Sequence, residues 1–204
     1  KSLGVDISQL PLAGAAPEWY SEKAVAIGAY VVASGITTVL GVQPPIFGSR
    51  NVVNLLADGL EGVVGAKFAV AAGTGTAAIE LGLRAAGLPA GSEVIVPALT
   101  SLFTAQAVLA AGLRLRFADV DPETLLLDPD VTRRTRAIVP VQLYGQPCAV
   151  PSIPGVAIVQ DACQAHGANH NGRAFTRSSA SVAYSFYPTK NLPCLGDGGA
   201  VLTD

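Results

Sequence analysis

One lysine in this chain directly follows an apolar strand-like run. The four lysines are Lys1, Lys23, Lys67 and Lys190, and Lys190 closes the stretch Ser185-Phe-Tyr-Pro-Thr-Lys190. A lysine held out of water gives up its proton more readily, so a neutral, nucleophilic amine becomes accessible. Asp161 ends another apolar run, Val156–Asp161. A carboxylate there is costly without a cationic or hydrogen-bonding partner. A protonated pyridine nitrogen would be such a partner, and a helix cap is the plainer alternative. Gln164, three residues on, offers an amide donor for a phenolate-type oxygen, and Ser185 offers a hydroxyl to a phosphate.

Gly73-Thr74-Gly75-Thr76 adds a turn before a helix-like stretch. Its glycines let a ligand approach the backbone, and a helix start presents unpaired N–H groups that suit a phosphate. It lacks the third glycine of a dinucleotide fingerprint and the Gly-Lys-Ser/Thr of a P-loop. By itself it reads more readily as an ordinary turn and cap than as a ligand site. Leu195-Gly-Asp-Gly-Gly199 permits a tight return beside Lys190, or simply a hairpin.

These residues need a scaffold that gathers loop ends. From Phe68 onward, short apolar runs alternate with helix-like stretches. Expected strands are Phe68–Ala72, Glu93–Pro97, Leu113–Val120, Ala137–Tyr144, Val156–Asp161, Val182–Tyr187 and Gly199–Thr203. Expected helices are Thr76–Ala86, stopped by Gly87 and Pro89, and Leu102–Ala111, stopped by Gly112. This alternation predicts an α/β fold, a mostly parallel sheet with helices on both faces. The site of such a sheet lies at the carboxyl ends of its strands. The links from Val120 to Ala137 and from Tyr144 to Val156 are short for helical crossovers, so one-turn helices or loops are expected there. Residues 1–65 read as a helical and loop segment, with helices over Pro17–Val32 and Val52–Val64. Residues 66–204 read as the main domain.

Composition sets the outer limits. Half of the 204 residues are apolar, 14% are charged and the net charge is −2, which is a core-rich chain. The basic cluster Arg133, Arg134, Arg136 is short and precedes an apolar run, so no nucleic-acid partner is expected. Ala24–Val42 is apolar but interrupted by Gly28, Ser34, Gly35 and two threonines, and reads as buried structure rather than a membrane span. The start lacks a signal-peptide layout. Cys148, Cys163 and Cys194 are odd in number and fit no metal spacing, so reduced thiols, a cytoplasmic protein and no metal are expected.

Several stretches in one order resemble the DegT/DnrJ/EryC1/StrS family of pyridoxal-phosphate sugar aminotransferases. They are LPLAG (10–14), GTGTAAIELGLRAAGL (73–88), GSEVIVPALT (91–100), FADVDPETLLLDP (117–129), AIVPVQLYGQP (137–147), QDACQAHGA (160–168) and SFYPTKNLPCLGDGGAVLTD (185–204). The resemblance implies the fold type I, aspartate-aminotransferase-like large domain, with the smaller C-terminal domain absent. It implies pyridoxal 5'-phosphate as cofactor, carried as a Schiff base (aldimine) on Lys190. Lys190 and Asp161 become the catalytic residues. Asp161 would pair with the pyridine nitrogen, Gln164 would contact the ring hydroxyl, and Gly75, Thr76 and Ser185 would hold the phosphate. The implied reaction moves an amino group from glutamate or glutamine to a keto-sugar carried on a nucleotide, in a homodimer.

Three departures stand out. Ser101 occupies the position of the family's ring-stacking aromatic, with Phe103 two residues away. Gln142 replaces the usual histidine before Leu-Tyr-Gly. The two short links resemble deletions. These departures keep open a second reading, a catalytically silent homologue that partners an active aminotransferase. Lys190, which is histidine in dehydratases of the family, favours transamination. His166 is expected to be structural, and Tyr144 and Asp119 could face substrate.

Overall fold

A computed structural model describes residues 66–148, 152–168, 181–194 and 196–203. The helices expected over Pro17–Val32 and Val52–Val64, like the whole segment 1–65, lie outside the described residues.

The elements, in chain order, are β1 (Phe68–Ala72), α1 (Gly75–Ala85), β2 (Glu93–Pro97), α2 (Leu102–Ala110), β3 (Arg114–Ala118), β4 (Thr135–Ile138), β5 (Ala157–Asp161), β6 (Ser181–Ser185) and β7 (Gly199–Thr203). They form one seven-stranded sheet in the order β1-β7-β6-β5-β4-β2-β3. Four adjacent pairs are parallel: β3 with β2, β2 with β4, β4 with β5, and β5 with β6. β7 runs against both β6 and β1. Six strands therefore share one direction, and their carboxyl ends meet at one edge. β7 starts at that same edge.

The pleat explains how β2, Glu-Val-Ile-Val-Pro, is buried from Val94 to Pro97. Val94 and Val96 pack with α1, α2, Val159 and Ala183 on one face. Ile95 points the other way, into a cluster with Ala118, Leu127, Ile138 and Cys148. Successive strand residues face opposite sides, so a continuous apolar run marks a strand covered twice. Among the described residues, α1 and α2 both cover the Val94 face. The opposite face is covered by the links after β3 and β4 and, further along the sheet, by Ala162, Ala165, Leu192 and Cys194 against Val182, Tyr184 and Phe186.

Helix ends follow from local chemistry. Thr74 caps α1, its side chain accepting from Ala77 N at 3.0 Å, and Ser101 caps α2 by accepting from Phe103 N at 3.4 Å. Gly87 and Gly112, just past the two helices, have φ of 64° and 75°, a left-handed backbone that glycine adopts without a Cβ clash.

Three expected strands stop early in the fold, among them β6, which ends at Ser185 rather than Tyr187. The run from Ala137 stops as a regular strand at Ile138. Val139 N still donates to Ile95 O at 2.8 Å, and Val141 makes an isolated parallel bridge with Asp161, in which Asp161 N donates to Pro140 O and Gln142 N to Asp161 O, each at 2.9 Å; Leu143–Gly145 then forms a one-turn 3-10 helix. The run from Leu113 ends at Ala118 rather than Val120. Val120 instead bridges Leu127 within the link. Both short links carry no α-helix among their described residues, as their lengths required.

Candidate active site

The edge where the six strands end opens into a cleft of about 410 Å³, within the usual range for a small-molecule site. Lys190, Asp161, Gln164, Ser185, Gly75 and Thr76 all line it. They come from three separated parts of the chain, brought together by the sheet.

Asp161 ends β5 and is 5% exposed. Its two oxygens are occupied from different sides. Thr104 Oγ1 donates to Oδ2 at 2.8 Å, and Cys163 N donates to Oδ1 at 3.1 Å. Thr100 and Thr104 hydroxyls lie 2.9 Å apart. Since the Thr104 proton goes to Asp161, Thr100 must donate to Thr104. The first turn of α2 thus fastens to the carboxylate through a buried hydroxyl chain, which fixes its orientation. Sequence inspection missed Thr104. The available signal was a hydroxyl three residues after Ser101 within an otherwise apolar helix.

Gln164 sits one turn past Asp161. Its Oε1 accepts from Tyr144 N at 2.9 Å, so its amide NH2 is the end that donates. Tyr144 holds a left-handed backbone, with φ 56° and ψ 21°, an uncommon conformation for a bulky residue that clusters at functional positions. The strain serves to aim a backbone N–H at Gln164. The Tyr144 ring itself is exposed and does not line the cleft. Asp119 is also exposed and accepts from Val120 N at 2.9 Å. Neither joins the site residues.

Gly75 opens α1 where space is tightest. A Cβ there would lie 2.5 Å from Ser185 Cβ and 2.9 Å from Cys163 Sγ. Only glycine lets the helix start come this close to Ser185. Gly199 has the matching constraint on β7, because a Cβ would run into the Thr74 carbonyl. The result is a pocket floor with backbone N–H groups of the α1 start beside the Ser185 hydroxyl. That donor set, at the positive end of an eleven-residue helix, suits a phosphate.

Lys190 follows β6 through a tight turn. Its N–H donates to Tyr187 O at 2.9 Å, and Pro188 occupies the second position of that turn, where its fixed φ fits. Phe186 N then donates to Gly198 O at 2.8 Å, and Cys194 N to Phe186 O at 2.7 Å. The lysine is therefore presented on a short loop tied at both sides to the strand end.

Gln142 does not reach the cleft. It is fully buried, with Oε1 accepting from Cys148 N and Nε2 donating to Gln160 Oε1 at 3.3 Å. It ties the segment after β4 to β5 and to the loop at Cys148.

His166 packs its ring 5.2 Å from the Tyr184 ring and 5.7 Å from that of Phe186. Burial, then the Lys190 charge, push its pKa down to about 4, while polar contact with the Ser185 backbone acts the other way. Neither ring nitrogen reaches a well-formed hydrogen bond among the described residues. Its structural role is thus packing rather than the expected hydrogen bonding. The unfolded chain binds a proton at His166 below its ordinary value of 6.5, whereas the folded chain does not until about pH 4. Stability should therefore fall as pH drops from about 6.5 to 4, by roughly 2–3 kcal/mol from this group. Urea denaturation of wild type and His166→Phe at pH 7 and pH 4.5 checks this. The variant should lose less on acidification.

Cys163 also lines the cleft. Burial and the nearby Asp161 hold its thiol well above the usual range, so it stays protonated and is a poor nucleophile. Cys148, Cys163 and Cys194 are all free thiols.

Residues 47–204 match the DegT/DnrJ/EryC1/StrS aminotransferase family. The chain belongs to that family. A UDP-2-acetamido-2-deoxy-3-oxo-D-glucuronate aminotransferase of Pseudomonas aeruginosa is 38% identical over 183 residues, covering 84% of this chain and 50% of its own length. The crystal structure of S. venezuelae DesV, in complex with a ketimine intermediate, superposes with a TM-score of 0.71 at 34% identity, covering 90% of this chain and 51% of DesV. The chain thus spans about half the length of these relatives. Residues 1–74 match a second family, prismane/CO dehydrogenase. Carbon monoxide dehydrogenase 1 of Methanosarcina mazei is 70% identical over 70 residues, which is 34% of this chain and 11% of that protein. The two family matches overlap at residues 47–74.

Among the described residues, no helix is long and apolar enough to cross a membrane.

Proposed function

We propose that the chain is the cofactor-binding part of a pyridoxal-phosphate aminotransferase that transfers an amino group to a nucleotide-linked keto-sugar. The observation that carries this reading is the convergence of Lys190, Asp161, Gln164, Ser185 and the Gly75-Thr76 helix start on one cleft. Each supplies a different functional group, and together they match the cofactor's chemistry: an amine for its aldehyde, a carboxylate for its ring nitrogen, an amide for its ring oxygen, and a glycine-floored donor set for its phosphate. Bound there, pyridoxal phosphate supplies an electron sink for the carbon that loses and regains a proton.

The residues divide the work. Gly75 N–H, Thr76 N–H and the Ser185 hydroxyl bind the phosphate. Asp161, oriented by Thr104 and Cys163 N–H, keeps a proton on the ring nitrogen. Gln164, oriented by Tyr144 N–H, donates to the ring oxygen. Lys190 Nζ would hold the cofactor through its amine and, as a neutral base, would accept and return a proton at that nitrogen.

Glutamate or glutamine is the proposed donor, a keto-sugar the acceptor, and a homodimer the working assembly in the cytoplasm. The exposed Leu99, Leu102 and Leu109 around α2 support a surface that a second copy covers. No carbon monoxide chemistry is proposed for residues 1–65. They contain neither cysteine nor histidine, the ligands that soft metal centres require.

Purified chain mixed with pyridoxal phosphate should turn yellow, with a visible band that borohydride abolishes while fixing the cofactor to the protein. Glutamate or glutamine should bleach the same band. A protein that remains colourless and takes up no cofactor sinks this function.

A further inference from the structure

We infer that Phe103, on the first turn of α2, supplies the aromatic cover for the cofactor ring that Ser101 cannot provide. The inference rests on the cofactor site proposed above and identifies a positioning residue particular to this chain.

Three observations carry it. Ser101 and Phe103 both line the cleft, along with Asp161, Gln164 and Lys190. Ser101 is engaged elsewhere: it is the cap of α2, accepting from Phe103 N at 3.4 Å. Its hydroxyl has no flat surface to lay against a ring. Phe103, by contrast, is 61% exposed although it borders a cleft. A large aromatic face in that position lacks a covering group, and a flat heteroaromatic ring is a natural one, since offset aromatic pairs gain beyond simple burial.

The position is also rigid. Thr104, the next residue, donates to Asp161 Oδ2 at 2.8 Å, and Thr104 is 1% exposed. That bond locks the turn carrying Phe103 to the carboxylate that faces the ring nitrogen. A ring engaged by Asp161 is therefore held next to the turn that carries Phe103. The aromatic has moved two positions along the chain, from the loop before α2 onto the helix, while the hydroxyl–carboxylate bond keeps the helix in register with the site.

The test measures pyridoxal phosphate binding by full-length wild type, Phe103→Ala, Phe103→Tyr and the double variant Ser101→Phe/Phe103→Ala. Readouts are the dissociation constant from the visible band and the induced circular dichroism of that band, with far-ultraviolet circular dichroism verifying the fold. Phe103 is exposed, so its truncation should leave the fold intact. Phe103→Ala should weaken binding about tenfold and diminish the induced signal, as loss of one aromatic contact implies. Phe103→Tyr should stay near wild type, and the double variant should recover most of the loss. Wild-type binding with Phe103→Ala unchanged in both readouts overturns this inference and leaves the proposed function standing. Absence of binding by wild type overturns both.

Discussion

Replacing Lys190 with alanine should lower amino-group transfer by about three orders of magnitude or more, because in the proposed function one side chain would provide both covalent attachment and proton transfer. It should also abolish the borohydride-fixed adduct. The fold should survive, since Lys190 contributes its backbone N–H to the turn at Tyr187 O, 2.9 Å away, and alanine retains that group. The phosphate donors and Asp161 also remain, so Lys190→Ala should still take up cofactor reversibly. Two measurements check this: single-turnover bleaching with glutamate or glutamine, and mass spectrometry of the reduced protein. An adduct that persists in Lys190→Ala would shift the anchor to Lys1, Lys23 or Lys67. An unchanged rate would remove Lys190 from the chemistry altogether.

Asp161→Asn should slow the same half-reaction by about a hundredfold or more, with little change in fold. The geometry explains the asymmetry. Asp161 Oδ1 accepts from Cys163 N and Oδ2 accepts from Thr104. An asparagine oxygen can keep only one of these contacts. Its NH2 can donate to the Thr104 hydroxyl instead, so the local network is retained at modest cost. What is lost is the negative charge. A carboxylate beside a basic nitrogen favours its protonated form by about 1–3 pH units. Without it the ring becomes a weaker electron sink. Transfer rate and the pH dependence of the visible band should both change in Asp161→Asn, while the melting temperature should stay within a few degrees. A rate equal to wild type would exclude Asp161 from this role.

The two family matches meet on a strand that suits a shared boundary. Among the described residues β1 is at the sheet edge and pairs only with β7, through five register positions from Phe68↔Thr203 to Ala72↔Gly199. Phe68 and Val70 point outward, 59% and 54% exposed. The cleft residues all follow β1 in the chain.

The residues that line the cleft were legible because chemistry and position coincide in sequence. Lys190, Asp161 and Ser185 each sit at the end of an apolar run, and a strand end is where a mostly parallel sheet builds its site. Continuous burial of β2 and β6 was legible for the same reason, since charge is excluded from strands covered on both faces. Gly75 was visible only as a permissive residue. Its necessity appears when Ser185 is brought against it from over a hundred residues away.

Other features depend on contacts between distant segments, and no spacing rule encodes them. β4 was expected to reach Tyr144 because Val139, Pro140 and Val141 continue the apolar run. The regular strand ends at Ile138, pairing thins to an isolated bridge between Val141 and Asp161, and the chain turns to aim Tyr144 N–H at Gln164. Gln142 occupies a position associated with histidine, yet it is a buried clamp whose partners, Cys148 and Gln160, are chosen by packing. Thr104 gains its meaning from Asp161, fifty-seven residues away. The sequence by itself determined the reactive groups, their order and the strand-helix alternation, because these follow from residue type and local periodicity. Only the tertiary structure decided which groups share a cleft, which oxygen of Asp161 each donor takes, and that Phe103 borders the site, because sheet order and helix docking set those distances.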